Sequence, residues 1–367
     1  MVGLLGYRAF TADVGHQRAT SLVRGYLRDP MARLAPAAAL PVSLADGPIV
    51  LRDPASIEHP VLRLVAERTR ALADGAALPD DGATLALGIE GGGMATAMTC
   101  GMAWVLERLG ATAAFDRVYG VSSGSIIATH FAAQQMDGAA RIFPDACTRE
   151  FVNLRRVVRG KPVLSLDVLF ALVARHPVER ALGVLRPRLS ILVAGVDDGC
   201  LHTLSEFQTL EDLMLAMRAG CAIPVLSREI VVRNGVRLAD GGMIESVPLH
   251  TPLGEGVTHL LALRSRDAEY RKGSRNRLYG FAEDRVINRE PGHVPDLIRG
   301  RPQRYDADSE VLACATAGEG PLAGRVLQLA PPVGTPLVSR LQLDEQRIVA
   351  AMRAGAQVAL HALAEPR

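Results

Sequence analysis

Gly120-Val121-Ser122-Ser123-Gly124 sits between a short apolar run, Val118 to Val121, and a helix-like run from Ser125 to Gln135. That order is strand, tight turn, helix, with a serine at the apex. Glycines two residues before and after the serine remove Cβ atoms that would clash in such a turn. The serine hydroxyl is then exposed at the carboxyl end of a strand. A helix N-terminus behind it favours developing negative charge. In a chain of 367 residues with 35 glycines, the same five residues also read as a plain serine-rich helix cap. The surrounding chain has to decide between the two.

Upstream, Asp74-Gly75 and Pro79-Asp80-Asp81-Gly82 make a turn-rich boundary. Thr84 to Ile89 then reads as a buried strand that runs into Glu90-Gly91-Gly92-Gly93 and a helix from about Met94 to Leu109. Three glycines between strand and helix let backbone N–H groups approach an anion. That anion is either a cofactor phosphate or a reaction oxyanion. A dinucleotide fingerprint counted from Gly91 needs glycine where Thr96 stands, and the chain has no Gly-Lys-Ser/Thr of a P-loop. An oxyanion hole serving Ser122 is therefore favoured, because the elbow is the next strand–turn–helix unit.

Downstream, Arg188 to Val193 reads as a strand entering the turn Gly195 to Gly199. Asp197 and Asp198 fall in that turn, where Asp-Gly is ordinary chemistry. Thr209 caps a helix over Leu210 to Ala219, with Glu211 and Asp212 in its first turn. Glu229 to Val232 and Val236 to Ala239 are two β-type runs joined by Asn234-Gly235, a strong hairpin signal. The second run delivers Asp240-Gly241-Gly242 at its end, which makes Asp240 a candidate base.

Gly91-Gly92-Gly93, Gly120 to Gly124 and Asp240-Gly241-Gly242 occur in an order that resembles the patatin-like phospholipases. Ser125, Ala222-Ile223-Pro224 and Glu245-Ser246-Val247-Pro248 add to the resemblance. It covers roughly residues 84 to 265, with a weaker extension to a closing helix after Leu343-Asp344. The resemblance implies an α/β fold with a mainly parallel central sheet and helices on both faces. It implies serine acyl-ester hydrolysis of phospholipid or lysophospholipid through a Ser–Asp dyad and an acyl-enzyme, without metal or organic cofactor. Ser122 would be the nucleophile and Asp240 the base, and Gly91, Gly92 and Gly93 would form the oxyanion hole. The family usually carries Arg or Lys and then Gly shortly after the triple glycine; here Ala95 and Thr96 stand there. Two alternatives stay open: an acyltransferase that passes the acyl group of the same acyl-enzyme to an alcohol or amine, and, because of that departure, a catalytically weak lipid- or partner-binding protein. His250 and His259, which come after Asp240 in the chain, leave a histidine triad as a lesser alternative.

The rest of the chain sets bounds. A formal net charge of +2 and 4% aromatic residues argue against nucleic acid as a partner. Five scattered cysteines without a C-x-x-C point to a reducing, cytoplasmic setting. No leader pattern opens the chain and no run is long enough to span a membrane. Residues 1–80 read as an extension packing on the core, with helix-like stretches at Leu22 to Leu34 and Pro60 to Leu72, and Pro48 to Leu51 as a short strand. Residues 81–367 read as the acyl hydrolase domain. Within it, about 264–310 is arginine-rich and reads as a solvated lid or loop, and about 344–363 as the closing helix. The arginines there would suit peripheral contact with an anionic membrane surface. Oligomeric state has no signature in the sequence.

Overall fold

The computed structural model describes residues 44, 49–176, 178–183, 186–272, 287–336 and 338–365. In chain order its main elements are α1 (Pro60–Ala73), β1 (Leu85–Ile89), α2 (Ala97–Arg108), β2 (Arg117–Val121), α3 (Ser123–Ala132), α4 (Met136–Asp145), α5 (Leu166–Val173), β3 (Arg188–Gly195), β4 (Leu201–Leu204), α6 (Leu210–Gly220), β5 (Val231–Arg233), β6 (Val236–Asp240), β7 (His259–Leu263), α7 (Val294–Thr316), β8 (Val326–Leu329) and α8 (Glu345–Leu363). The strands form one sheet in the order β5-β6-β3-β2-β1-β7-β8, with β4 paired to β3 beside that path.

Strands β1, β2, β3, β7 and β8 are parallel to their neighbours in this group. Every residue of β1 and β8 is buried. Burial on both faces is why these strands read as continuous apolar runs rather than alternating ones. Leu85, Leu87, Ile89, Val118, Ile191 and Leu261 point into a core built with α1, α2, α3, α4 and α8. Their neighbours Ala86, Tyr119, Val121, Leu192 and Leu260 face the other way, onto Tyr305, Leu312 and Ala315 of α7. The fold is thus mixed α/β, with a mainly parallel sheet covered on both faces.

The β3 strand decides where the chemistry can be. Its residues 191–194 pair antiparallel with β4 along one edge. Along the other edge Leu192 pairs with Val121, the last residue of β2, and Val193 pairs with Asp240, the last residue of β6. Strands β2 and β6 therefore meet carboxyl end to carboxyl end on one edge of β3. The β5–β6 hairpin that makes this possible turns through Asn234 and Gly235, at φ 51° and 78°. Positive φ at both central residues gives the turn whose twist matches the strands it joins.

Three sequence readings meet the structure differently. Of the Pro48 to Leu51 strand, Pro48 lies outside the described residues, and of the rest Leu51 alone makes an isolated bridge, to Ala364 beyond the closing helix. The arginine-rich segment is not simply a solvated loop: Arg264 is fully buried and Val294 to Thr316 is one helix. Pro302 inside that helix, together with its arginines, masks a buried series of Val294, Tyr305, Ser309 and Leu312 at helical spacing. Residues 273–286 of the segment, and Leu22 to Leu34 of the extension, lie outside the described residues. The described part of the extension lies on the core, where Val61 and Val65 are wholly buried. Among the described residues, no helix is long and apolar enough to cross a membrane.

Helix α8 crosses α2 backbone to backbone. A Cβ on Gly355 would lie 2.8 Å from the Met98 carbonyl carbon, and one on Gly101 would lie 2.9 Å from the Ala356 nitrogen. Such contacts cannot be relieved by a side-chain rotation. Gly355→Val is expected to lower stability by about 1–3 kcal/mol through overpacking, or more if the helices must separate. Urea unfolding would show the loss as a lower midpoint.

Candidate active site

Ser122 leaves β2 at φ 54° and ψ −136°, a conformation that costs a non-glycine residue about 1–3 kcal/mol. The surroundings enforce it. A Cβ on Gly120 would lie 2.6 Å from the Gly124 carbonyl, and a Cβ on Gly124 would lie 2.5 Å from the Ile89 carbonyl of β1. The Ser122 carbonyl accepts from the Ser125 N–H at 2.9 Å and from the Ser125 hydroxyl at 2.6 Å. A strained turn is thus clamped between β1 and the first turn of α3.

The end-to-end meeting of β2 and β6 brings the serine and aspartate together. The Ser122 hydroxyl donates to Asp240 Oδ2 at 2.5 Å. Asp240 Oδ1 accepts from the Gly242 N–H at 2.7 Å, and the Asp240 N–H donates to the Ala222 carbonyl at 2.8 Å. Ser122 is 7% exposed and Asp240 2%. Burial pushes the Asp240 carboxyl above its ordinary pKa; the Ser122 hydrogen bond, Arg301, the Gly242 N–H and Arg340 oppose that shift without cancelling it. The carboxyl thus titrates closer to neutrality than an ordinary aspartate.

The three glycines of the loop are not equivalent. Gly91 packs on the serine so closely that a Cβ would fall 2.6 Å from Ser122 Cβ. Gly91 departs from the expectation of a free donor, because its N–H donates to the Ser246 carbonyl at 3.1 Å. The Gly92 N–H reaches the Ser123 hydroxyl at a long 3.3 Å. Gly93 turns the chain at φ +59°, and among the described residues its N–H meets no acceptor. Thr96, where the family usually has glycine, is wholly buried. Its hydroxyl donates to the Gly93 carbonyl at 2.6 Å and stands 3.0 Å from the Ser123 hydroxyl. Thr96 ties the glycine loop to the elbow.

Under the loop lies an ion pair that the sequence reading did not find. Glu90, the residue before Gly91, is buried against Arg264, with Arg264 Nε 3.5 Å from Glu90 Oε2. The same carboxylate accepts from the Ser265 N–H at 2.5 Å, the Ser265 hydroxyl at 2.9 Å and the Tyr305 hydroxyl at 2.8 Å. Arg264 donates onward to Gln328, Tyr305 and Ser309. Burial alone would raise the Glu90 pKa, yet Arg264 and the hydrogen bonds outweigh it and hold the carboxyl below its ordinary value. Its signal in the sequence was a carboxylate closing one buried strand and an arginine just after another.

Lys272 Nζ and Arg301 Nε both donate to the Ser246 hydroxyl, at 3.1 and 3.2 Å. Lys272 also stands 3.5 Å over the Tyr305 ring. Arg340 approaches from the C-terminal side, and its carbonyl accepts from the Met94 N–H at 3.1 Å. None of these three cations was singled out as a site residue from the sequence, since they are far apart in the chain. On another side of Ser122 a small apolar cavity of about 50 Å³ is lined by Ile126, Ile142, Phe143, Phe151, Leu164 and Leu169, among others. The histidines do not join: His250 bonds Asp308, His259 bonds Thr258, and buried His130 bonds the Ile126 carbonyl. Among the described residues, no group of three or more His, Cys, Asp or Glu side chains is placed to hold a metal.

Residues 87–253 match the family model for patatin-like phospholipase. The chain carries a patatin-like phospholipase domain. This domain holds the glycine loop, the elbow and Asp240, whereas Lys272, Arg301 and Arg340 lie beyond it. An uncharacterized Escherichia coli K12 protein, YjjU, is 25% identical over 185 residues, which cover 49% of this chain and 52% of that protein. Human GIVD cytosolic phospholipase A2, solved with methyl gamma-linolenyl fluorophosphonate, matches at 10% identity and TM-score 0.42, over 82% of this chain and 60% of that one. VipD from Legionella pneumophila matches at 14% identity and TM-score 0.33, over 78% and 67%.

The buried pair makes a stability prediction. Arg264→Met strands the Glu90 charge and is expected to cost about 3–5 kcal/mol. The double variant Glu90→Gln with Arg264→Met should recover a large part of that loss, because the buried charge is gone. Urea midpoints of the two single variants and the double variant check this as a cycle.

Proposed function

We propose that this chain is a serine acyl-ester hydrolase acting on phospholipid or lysophospholipid. The observation that carries the reading is the 2.5 Å hydrogen bond from Ser122 to buried Asp240 at the mouth of an apolar cavity. A hydroxyl becomes a nucleophile when a base is ready to take its proton, and Asp240 Oδ2 already accepts it. Ser122 Oγ attacks the ester carbonyl as its proton passes to Asp240. The tetrahedral oxyanion is held by the Gly92 and Gly93 N–H groups and by the Ser123 N–H at the start of α3. Collapse expels the alcohol, which takes the proton from Asp240, and leaves the acyl group on Ser122. Asp240 then draws a proton from water, whose oxygen attacks the acyl-enzyme. The carboxylic acid leaves, and Ser122 recovers its proton.

The apolar cavity gives the acyl chain a dry place to lie, and its burial supplies binding energy at about 25 cal/mol per Å². Gly91 has a different part, since its N–H anchors the loop to Ser246. Thr96 and Ser123 hold the donors in place, a job that the family's usual glycine cannot do with a side chain. Preorganised donors are what make an oxyanion hole effective.

A fluorophosphonate probe tests the reading directly. The parent should label, Ser122→Ala should not, and Asp240→Asn should label about 10²–10⁴ times more slowly. A folded parent that fails to label would remove the case for hydrolysis. The pH profile is a second check. Asp240 works as a base only when ionised, so activity falls as pH drops through its pKa. Because that pKa is raised, the acid limb is expected above about 3.9, the ordinary aspartate value.

A further inference from the structure

We propose that Lys272, Arg301 and Arg340 form a subsite for the phosphate group of the substrate, beside the Ser122–Asp240 pair. The proposal rests on the hydrolase reading for the rest of the substrate, and it names the part of the substrate that the apolar cavity cannot hold.

Three observations carry it. The first is position. Asp240 Oδ1 bonds the Gly242 N–H, the Gly242 carbonyl accepts from the Ser246 hydroxyl at 2.8 Å, and that hydroxyl in turn accepts from Lys272 and Arg301. Arg301 Nη2 lies 3.7 Å from where a Gly242 Cβ would stand. The Arg340 backbone backs the glycine loop, its carbonyl 2.7 Å from where a Gly93 Cβ would stand, and its charge is near enough to act on Asp240, Lys272 and Arg301. The cations thus border the aspartate and the oxyanion loop, and none of them lines the apolar cavity.

The second observation is charge. Around the dyad two carboxylates, Glu90 and Asp240, face three guanidinium groups, Arg264, Arg301 and Arg340, and the Lys272 amine. Glu90 is already engaged by Arg264, Ser265 and Tyr305. The surplus is positive, in a place where water screens it poorly. Burial, and after it Arg301 and Arg340, pushes the Lys272 pKa down to about 5. Burial and then Arg340 push the Arg301 pKa down to about 10. An anion among the three would reverse both shifts and let Lys272 take up a proton.

The third observation is unused donors. Among the described residues, the Nη atoms of Arg301 and the guanidinium of Arg340 make no hydrogen bond or close ion pair, and Asp240 acts on both only at longer range. Planar guanidinium groups pair with phosphate oxygens through parallel N–H bonds, and a lysine adds a point charge. Arg or Lys usually comes shortly after the triple glycine in patatin-like phospholipases. Here Ala95 replaces it, and cations from the C-terminal part of the chain stand at the site instead.

Two monomeric esters that differ only in the phosphate test the proposal: 1-hexanoylglycerol 3-phosphate and 1-hexanoylglycerol. The parent is expected to prefer the phosphate ester in kcat/KM by at least tenfold. Arg301→Gln and Arg340→Gln should each lower that ratio at least tenfold. The ratio cancels any change in the reactivity of Asp240, which both esters share. Binding is read separately by calorimetry on Ser122→Ala, with the phosphate ester and with inorganic phosphate. Adding Arg340→Gln, which changes a partly exposed side chain on a loop, should weaken the phosphate ester at least tenfold even if Arg301→Gln does not fold. Unchanged ratio and unchanged binding would overturn the subsite. Inorganic phosphate bound as tightly as the ester would assign the cations to a free anion and overturn the headgroup role. A parent that cleaves neither ester, while Ser122→Ala still binds the phosphate ester through Arg340, would sink the hydrolase reading and sustain the subsite.

Discussion

A stretch of strand edge can pair with one neighbour at a time. Along β3, the edge beyond Leu192 is free only because β2 stops at Val121, and β6 occupies it from the opposite direction. The two strands end against each other, so the chain leaving each of them must turn out of the sheet at one place. Ser122 turns into α3. Asp240 turns into Gly241-Gly242, where a side chain would strike the Leu192 backbone. The contact between serine and aspartate, far apart in sequence, is a consequence of this pairing. It needs no flexible search by either side chain.

The second constraint is a buried charge. Glu90 sits where β1 ends and the glycine loop begins, and its carboxylate is satisfied from β7, Ser265 and α7 together. A buried carboxylate with three partners has little freedom to move, since losing any one of them leaves polar atoms unpaired. The loop over Ser122 therefore inherits its position from the far side of the sheet. Through Tyr305 and the Lys272 side chain above it, that network also touches the cationic group beside Asp240.

The parts of this architecture that could be read in the sequence are those written locally. The elbow, the strand before the glycine loop, the Thr209 cap and the Asn234-Gly235 hairpin each come from residues a few positions apart, where chain geometry leaves few options. The same is true of Asp240 at the end of its strand. Strand β4 went unread because Leu201 to Leu204 is short, half-exposed and interrupted by His202 and Thr203. Helix α7 was hidden by prolines and arginines, which look like a loop until the buried spacing of Tyr305, Ser309 and Leu312 is counted. Thr96 looked like a loss relative to the family, and only its contact with Ser123 shows what the hydroxyl does. Lys272, Arg301 and Arg340 share no local pattern at all; packing alone brings them together.

The Met94 N–H finds its acceptor on Arg340, and Gly93 is pressed against the same carbonyl. This gives the order of synthesis a chemical meaning. A ribosome releases the elbow, the glycine loop and the aspartate well before it releases Arg340 and the helix that packs across α2. Until then the loop over Ser122 lacks one of its walls.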